Sequence, residues 1–348
     1  METKNIPVFL ASDNNYAPFV ATTIASILDN TKSFVDFYVL DSGISEDNKN
    51  KIADLKNDFS NFSIEYIEID IEKQFGHFPL FQKEHTLNVF SRYLIPQLKP
   101  NLKKVLYMDV DIIVRGDISE LSNISLENYH LGAIPEYTDV LEDHKKELNI
   151  LSAHKYFNAG ILIIDCEYFR NNNLTELLIK KTLEIKPKFQ DQDILNIVFQ
   201  NNYKVLDYKY NVSWYMSEFN KKNPNKDARK AIDKPFIIHY STFKPWKEMD
   251  VVFAEYFWRY AKKTSFYEFL FLAYMDTRDK IIVDKIEIKK IKIFGVIPFL
   301  LTENAVNYKK IYLFNIVPFL KIKKSKESTD ICLISWKLVI FRIKTRNI

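Results

Sequence analysis

Two aspartates one residue apart, Asp109 and Asp111, follow the apolar run Val105-Leu106-Tyr107-Met108 and precede Ile112-Ile113-Val114. Apolar, β-branched runs of this length read as buried strand. Two carboxylates placed within one are costly unless something compensates their charge. In an extended chain residues i and i+2 face the same way, so this pair converges on one object. A hard divalent cation suits it, since such ions take carboxylate oxygens and keep further positions for phosphate. The spacing recurs at Asp191 and Asp193 ahead of a helical stretch, where capping of that helix is a competing use.

The surrounding pattern supplies the elements that must place these groups. Ile6 to Ala11 reads as a strand, Pro18 to about Asp29 as a helix, Phe34 to Leu40 as a strand, a Ser45-capped helix reaches about Phe59, and Phe62 to Ile69 is a third strand. This β-α-β-α-β order implies a parallel sheet with covering helices. Ligands of such sheets bind beyond the carboxyl ends of the strands, where Asp13 and Asn15 would meet Asp109 and Asp111. Leu87 to Leu98 reads as a helix containing Arg92; Leu131–Ile134, Gly160–Asp165 and Phe236–Tyr240 as strands; Thr175–Glu184, Asp193–Phe199 and Asp250–Lys263 as helices. Leu141 to Ser152 is polar and expected to be mobile.

Composition narrows the chemistry. Six glycines in 348 residues leave no G-x-G-x-x-G and no P-loop, so a bound diphosphate must be neutralised by metal and basic side chains. Cys166 and Cys332 are far apart, which excludes a disulfide framework or a Cys-based zinc site and points to a reducing compartment. The N-terminus enters a strand without a signal-peptide core, and a cytoplasmic location is the expectation. Residues 280–348 hold 15 Lys/Arg against 5 Asp/Glu, so a net +10 sits in the tail and −6 in the remainder of a chain of net +4. In that tail Lys289-Lys290-Ile291 to Pro298-Phe299-Leu300 is repeated 20 residues later as Lys309-Lys310-Ile311 to Pro318-Phe319-Leu320. Alternating basic and apolar residues there suggest short strands or hairpins.

Several motifs stand in order: Ala11-Ser12-Asp13-Asn14-Asn15-Tyr16, Asp41-Ser42-Gly43, Arg92, Tyr107-Met108-Asp109-Val110-Asp111, Phe157-Asn158-Ala159-Gly160, Gln190-Asp191-Gln192-Asp193, and His239-Tyr240 with Lys244-Pro245-Trp246. Together they make residues 5–263 resemble glycosyltransferase family 8, which includes bacterial lipooligosaccharide galactosyl- and glucosyltransferases and the glycogenins. The resemblance implies an α/β, Rossmann-like nucleotide-sugar fold of GT-A type with a mixed, mostly parallel sheet. It places this fold in residues 1–265 and leaves 266–348 as a small basic appendage. It implies a retaining hexosyl transfer from a UDP-sugar to a glycan or glycolipid, with Mn²⁺, or Mg²⁺, held by Asp109, Asp111 and His239. Asp13, Asn15, Tyr16, Arg92, Asn158 and Lys244 would then hold the nucleotide sugar. Asp191 and Gln192 would be catalytic, and Glu136 would face the acceptor; His85 lies in the acceptor-facing segment but matches no family residue.

One departure from the family pattern is visible: His239 to Lys244 is one residue short and lacks the usual glycine, leaving Ser241 or Thr242 for the phosphate. The tail's charge suggests an anionic membrane surface at the inner face of the cell membrane, and no nucleic acid. A non-catalytic sugar-nucleotide binder and a metal-dependent phosphohydrolase are the rival readings.

Overall fold

The structure, a computed structural model, describes the chain except residues 1–4, 81–85, 138–140, 249–250, 281–285, 294–296, 306–307, 314–316, 325–327, 336–337 and 347–348. The chain divides into two compact units, Met1–Leu270 and Phe271–Ile348.

In the first unit, strands β1 (Ile6–Ser12), β2 (Val35–Asp41), β3 (Phe62–Glu68), β4 (Lys104–Met108), β6 (Leu131–Pro135), β7 (Phe157–Asp165) and β8 (Lys204–Val205) form a seven-stranded sheet in the order β3-β2-β1-β4-β7-β6-β8. β5 (Ile112–Val114) and β9 (Ile237–His239) form a separate antiparallel pair. The β3-β2-β1-β4 half is parallel, as the alternating helices require; β7 runs antiparallel to β4 and β6. The sheet is thus mixed, with its β3-β2-β1-β4 half parallel, as expected.

The helix Ala17–Asn30 explains how the chain leaves the large sheet. Every residue from Ala17 to Leu28 is buried. Thr23 Oγ1 donates to the carbonyls of Val110 and Ile112 at 2.9 and 3.0 Å, and Val114 N donates to Ser26 Oγ at 3.0 Å. Peptide groups of the bend and of β5 therefore find hydroxyls on this helix, as buried backbone must. Asp109 to Asp111 is accordingly a bend between two strands and not an extended strand, which corrects the sequence reading. The two carboxylates converge because the chain turns there.

Two further expectations change. Leu87 to Leu98 is a 3₁₀ helix (Leu87–Leu94) followed by one short α-turn (Ile95–Leu98). Pro96 has no N–H for the Arg92 carbonyl, which accepts from Ile95 N in the tighter i→i−3 pattern. The segment from Leu141, expected to be mobile, is a helix to Glu147, with His144 and Lys145 buried. The other expected C-terminal helices of this unit fall at Leu174–Glu184, Gln190–Val198 and Ala254–Ala261.

The second unit contains six antiparallel strands in sequence order, Ile286–Ile293, Ile297–Ala305, Tyr308–Leu313, Val317–Lys324, Ser328–Ser335 and Leu338–Arg346. The 20-residue repeat is a structural one. Ile291 pairs with Leu300 and Ile311 with Leu320, and the register slips immediately afterwards in both hairpins. Among the described residues no helix is long and apolar enough to cross a membrane.

Candidate functional site

Three side chains meet where β4 ends, β5 begins and β9 ends. His239 is the last residue of β9 and pairs with Ile112, while Tyr240 N donates to the Asp111 carbonyl at 2.9 Å. His239 Nε2 lies 3.1 Å from Asp111 Oδ1 and 3.8 Å from Asp109 Oδ2, and ligand atoms of all three lie within 4.8 Å of one another. The other atoms of each group are engaged elsewhere. Asp109 Oδ1 accepts from Arg92 at 3.1 Å and Tyr107 Oη at 2.8 Å. Asp111 Oδ2 accepts from Lys244 Nζ at 2.5 Å. His239 Nδ1 is 2.8 Å from Asn211 Oδ1, so the ring donates there and offers Nε2 toward the carboxylates.

Asp111 Oδ1 is buried with no hydrogen bond. An orphaned carboxylate oxygen facing an imidazole nitrogen and a second carboxylate is a donor set that fits a hard or borderline divalent cation. Burial works against charge on Asp111, but Lys244 and His239 outweigh it and hold the carboxyl well below its usual range. Burial also opposes charge on His239, yet the same carboxylates raise the imidazole above its ordinary value.

Gly160 packs against this cluster. Its carbonyl accepts from Asp109 N at 2.7 Å, and a Cβ there would come 2.4 Å from His239 Cε1 and 2.7 Å from Asp109 Oδ2. Only glycine lets β7 approach this closely.

A cavity of about 380 Å³ opens on one side of the cluster, lined among others by Glu136, Asn158, Asp191, Gln192, Ser241 and Thr242. Arg92, 5% exposed, spans its floor. It donates to the carbonyls of Val89 and Ala159, stands over the Tyr107 ring, and has Nε 3.0 Å from Asp191 Oδ2. Burial, outweighing Arg92, pushes the Asp191 carboxyl up to about 7. Gln192 Oε1 accepts from Asn158 Nδ2 at 3.1 Å and from Ala159 N at 3.0 Å. Asn158 Nδ2 also donates to Glu136 Oε1 at 2.8 Å, and burial raises the Glu136 carboxyl.

A second cavity, about 290 Å³, shares Val89, Arg92, Asp109 and Asp111 with the first, and its other lining residues include Ser12, Asp13, Tyr16, Thr86 and Asn88. It exists because β1 and β4 are neighbours in register, Phe9 against Tyr107. Asp13 Oδ1 accepts from Tyr16 N at 3.0 Å, which holds the turn after β1. Asn15 is exposed and lines neither cavity; Asn14 is the residue tied in, to Ser45 and Asn48. Lys244 lies against Asp111 and the Tyr240 carbonyl and does not line either cavity. His85 falls outside the described residues.

Sequence reasoning missed Asn211, which orients His239, and the polar residues beneath Gln192: His144, His154 and Asn196. Asn211 precedes a β-bridge between Val212 and Ile238, a non-local pairing with no signal in its own neighbourhood.

Residues 7–250 match the family described as Glycosyl transferase family 8. A protein of Haemophilus influenzae is 31% identical over 212 residues, 60% of this chain and 64% of that protein, so the chain spans less than two thirds of it. The lipopolysaccharide 1,2-glucosyltransferase of Escherichia coli is 28% identical over 271 residues, 74% of this chain and 78% of its own. The crystal structure of the galactosyltransferase LgtC with donor and acceptor sugar analogs superposes with a TM-score of 0.66 at 25% identity, covering 75% of this chain and 96% of that one.

Proposed function

Since the chain belongs to glycosyltransferase family 8, we propose that it transfers a hexose, galactose or glucose, from a UDP-sugar to a glycan acceptor, with retention of configuration and with a divalent cation, Mn²⁺ or Mg²⁺. The observation that carries this reading is the convergence of Asp109 Oδ2, Asp111 Oδ1 and His239 Nε2, each with its partner atom engaged elsewhere. A cation held by these atoms supplies Lewis-acid stabilisation of the departing diphosphate. The solved galactosyltransferase with donor and acceptor analogs and the lipopolysaccharide glucosyltransferase support the hexosyl donor and a surface-glycan acceptor.

The chain's own residues divide the remaining work. Asp13 accepts from the base and Tyr16 stacks on it in the smaller cavity. Asn15, exposed at the end of that turn, reaches the nucleotide from its rim. Arg92, held by Asp191 and Asp109, fixes the central wall and hydrogen-bonds the donor together with Asn158. Lys244, already against Asp111, lends positive charge to the phosphates. Glu136 borders the acceptor side.

Gln192 stabilises positive charge on the sugar's β face while the acceptor attacks from the side the diphosphate leaves. An amide whose oxygen already accepts two hydrogen bonds is a poor nucleophile, which supports this front-face route. Gln192→Ala is therefore expected to retain measurable transfer, lowered about 10²–10³-fold, as for loss of one electrostatic donor. A sugar trapped covalently on Gln192 would contradict it.

The direct test of the function is a donor screen: the protein, Mn²⁺ and a panel of UDP-sugars, read by UDP release. Turnover of no member of the panel would sink the reading.

The tail's net +10 supports an anionic-lipid surface as its partner, at the inner face of the cell membrane, with about 1 kcal/mol for each basic residue near the bilayer. A chain ended near Lys280 should keep donor hydrolysis and lose co-sedimentation with phosphatidylglycerol vesicles. Equal sedimentation at physiological salt would refute the assignment.

A further inference from the structure

We propose that His144 and His154 are positioning residues for transfer, clasping residues 141–154 onto the helix that carries Gln192. This rests on the role given to Gln192 above.

Each end of the segment is tied to a different side chain of that helix. His144 Nε2 lies 2.7 Å from Asp193 Oδ1, an oxygen that also accepts from Tyr156 Oη at 2.5 Å. The other Asp193 oxygen accepts from Phe189 N at 2.8 Å, closing the helix's first turn. Asp193 and Asn196 are fully buried, and His144 and His154 are 5% and 1% exposed. At the far end His154 Nε2 lies 2.9 Å from Asn196 Oδ1. Asn201 N donates to His154 Nδ1 at 3.0 Å, so Nε2 carries the proton and points it at the amide oxygen. Between the two histidines, buried Lys145 donates to the Ser152 carbonyl and to Glu142, both at 2.9 Å, and closes the segment on itself.

The residues these histidines grip flank Gln192. Asp193 is its neighbour, and Asn196 lies one turn on. The Asn196 amide also binds both peptide groups of Phe157, at 2.8 and 2.9 Å, and the Gln192 carbonyl at 2.8 Å. The helix is thus fastened to β7 on one side and to the 141–154 segment on the other. Gln192 reaches Asn158 and Ala159 only while both fastenings hold. Polar surface segments do not ordinarily bury two histidines and a lysine. Each such group needs a partner when buried, and all three have one here. Leu141, at the head of the segment, lines the same cavity as Gln192.

The test uses the full chain with UDP-galactose and UDP-glucose as probes, following donor hydrolysis with Mn²⁺ alongside amide hydrogen exchange. In His144→Ala, kcat is expected to fall about 10–10²-fold, the scale of a misplaced site residue, while donor KM changes less than about twofold because the nucleotide wall is elsewhere. His144→Gln, whose amide can donate to Asp193, should recover most of that loss. Exchange over 141–154 and 190–198 should be slow in wild type and His144→Gln, and faster in His144→Ala. An unchanged kcat in His144→Ala, or failure of the glutamine to rescue, overturns the proposal. Fast exchange of 141–154 in the wild-type protein overturns it without any variant. Wild-type protein inactive on both probes would defeat the reading of Gln192 itself, and the exchange data would still decide the clasp.

Discussion

Asp111→Asn is expected to abolish Mn²⁺ binding and to lower transfer by about 10³-fold or more, since a bound cation supplies several kcal/mol of charge stabilisation to the leaving group. The structure makes this the cleaner of the two aspartate substitutions. Asp111 spends one oxygen on Lys244 and keeps the other unbonded. An asparagine can still accept from Lys244, so the local packing survives while the free carboxylate oxygen is lost. Asp109 has more to hold: it receives both Arg92 and Tyr107. Substitution there leaves a buried guanidinium with only Asp191 opposite it, and stability falls along with activity. Titration calorimetry with Mn²⁺, run beside thermal melts and UDP release, separates the two effects. Undiminished Mn²⁺ affinity in Asp111→Asn, or full activity of the wild type in excess chelator, would show that the cluster is not the cation site.

The second large effect belongs to a residue with no side chain. Gly160→Ala should weaken Mn²⁺ binding at least tenfold and lower kcat by about 10²-fold, the cost of displacing site groups by about an ångström. An added Cβ would sit 2.4 Å from His239 Cε1 and 2.7 Å from Asp109 Oδ2, and neither group is free to retreat. His239 is held by Asn211, and Asp109 by Arg92, Tyr107 and the Gly160 carbonyl. β7 itself is pinned between β4 and β6. The imidazole must therefore turn or the strand must bow, and either opens the ligand triangle. Wild-type Mn²⁺ affinity in Gly160→Ala would mean that the backbone gives way without touching the site.

What the sequence revealed and what it hid follow from how far apart in the chain the causes lie. β1, β2, β3 and the turn carrying Asp13 were legible because apolar alternation and a helix between strands are local patterns. Asp109 and Asp111 are legible as a pair, but the cause of their convergence is not. The sequence reads as an extended strand; the structure has a bend whose Val110 carbonyl is satisfied by Thr23, 87 residues earlier. Motif resemblance points to Asn15, while the geometry ties in its neighbour Asn14. The segment from Leu141 looked mobile because Glu142, Asp143, Lys145, Lys146 and Glu147 give it a polar face in every direction. Its order comes from partners at 193 and 196, which no window around it contains. The same holds for Asn211, which meets the site at His239, on a strand that follows it in the chain.

The separation of the ligand groups has a consequence for how the protein is made. Asp109 and Asp111 leave the ribosome on β4 and its bend, but His239 closes the small sheet, and Lys244 joins Asp111 across 133 residues of chain. Contacts that far apart form late, because the intervening loop must be ordered before they add any stability. A nascent chain that has exposed both aspartates therefore holds an acidic half-site with no imidazole and no lysine to balance it. Under the cation assignment proposed above, metal capture and closure of the β5–β9 pair would become one event, placed near the end of synthesis of the first unit. A cell short of the cation would then accumulate chains whose β5–β9 pair is the last part to close and the first to open.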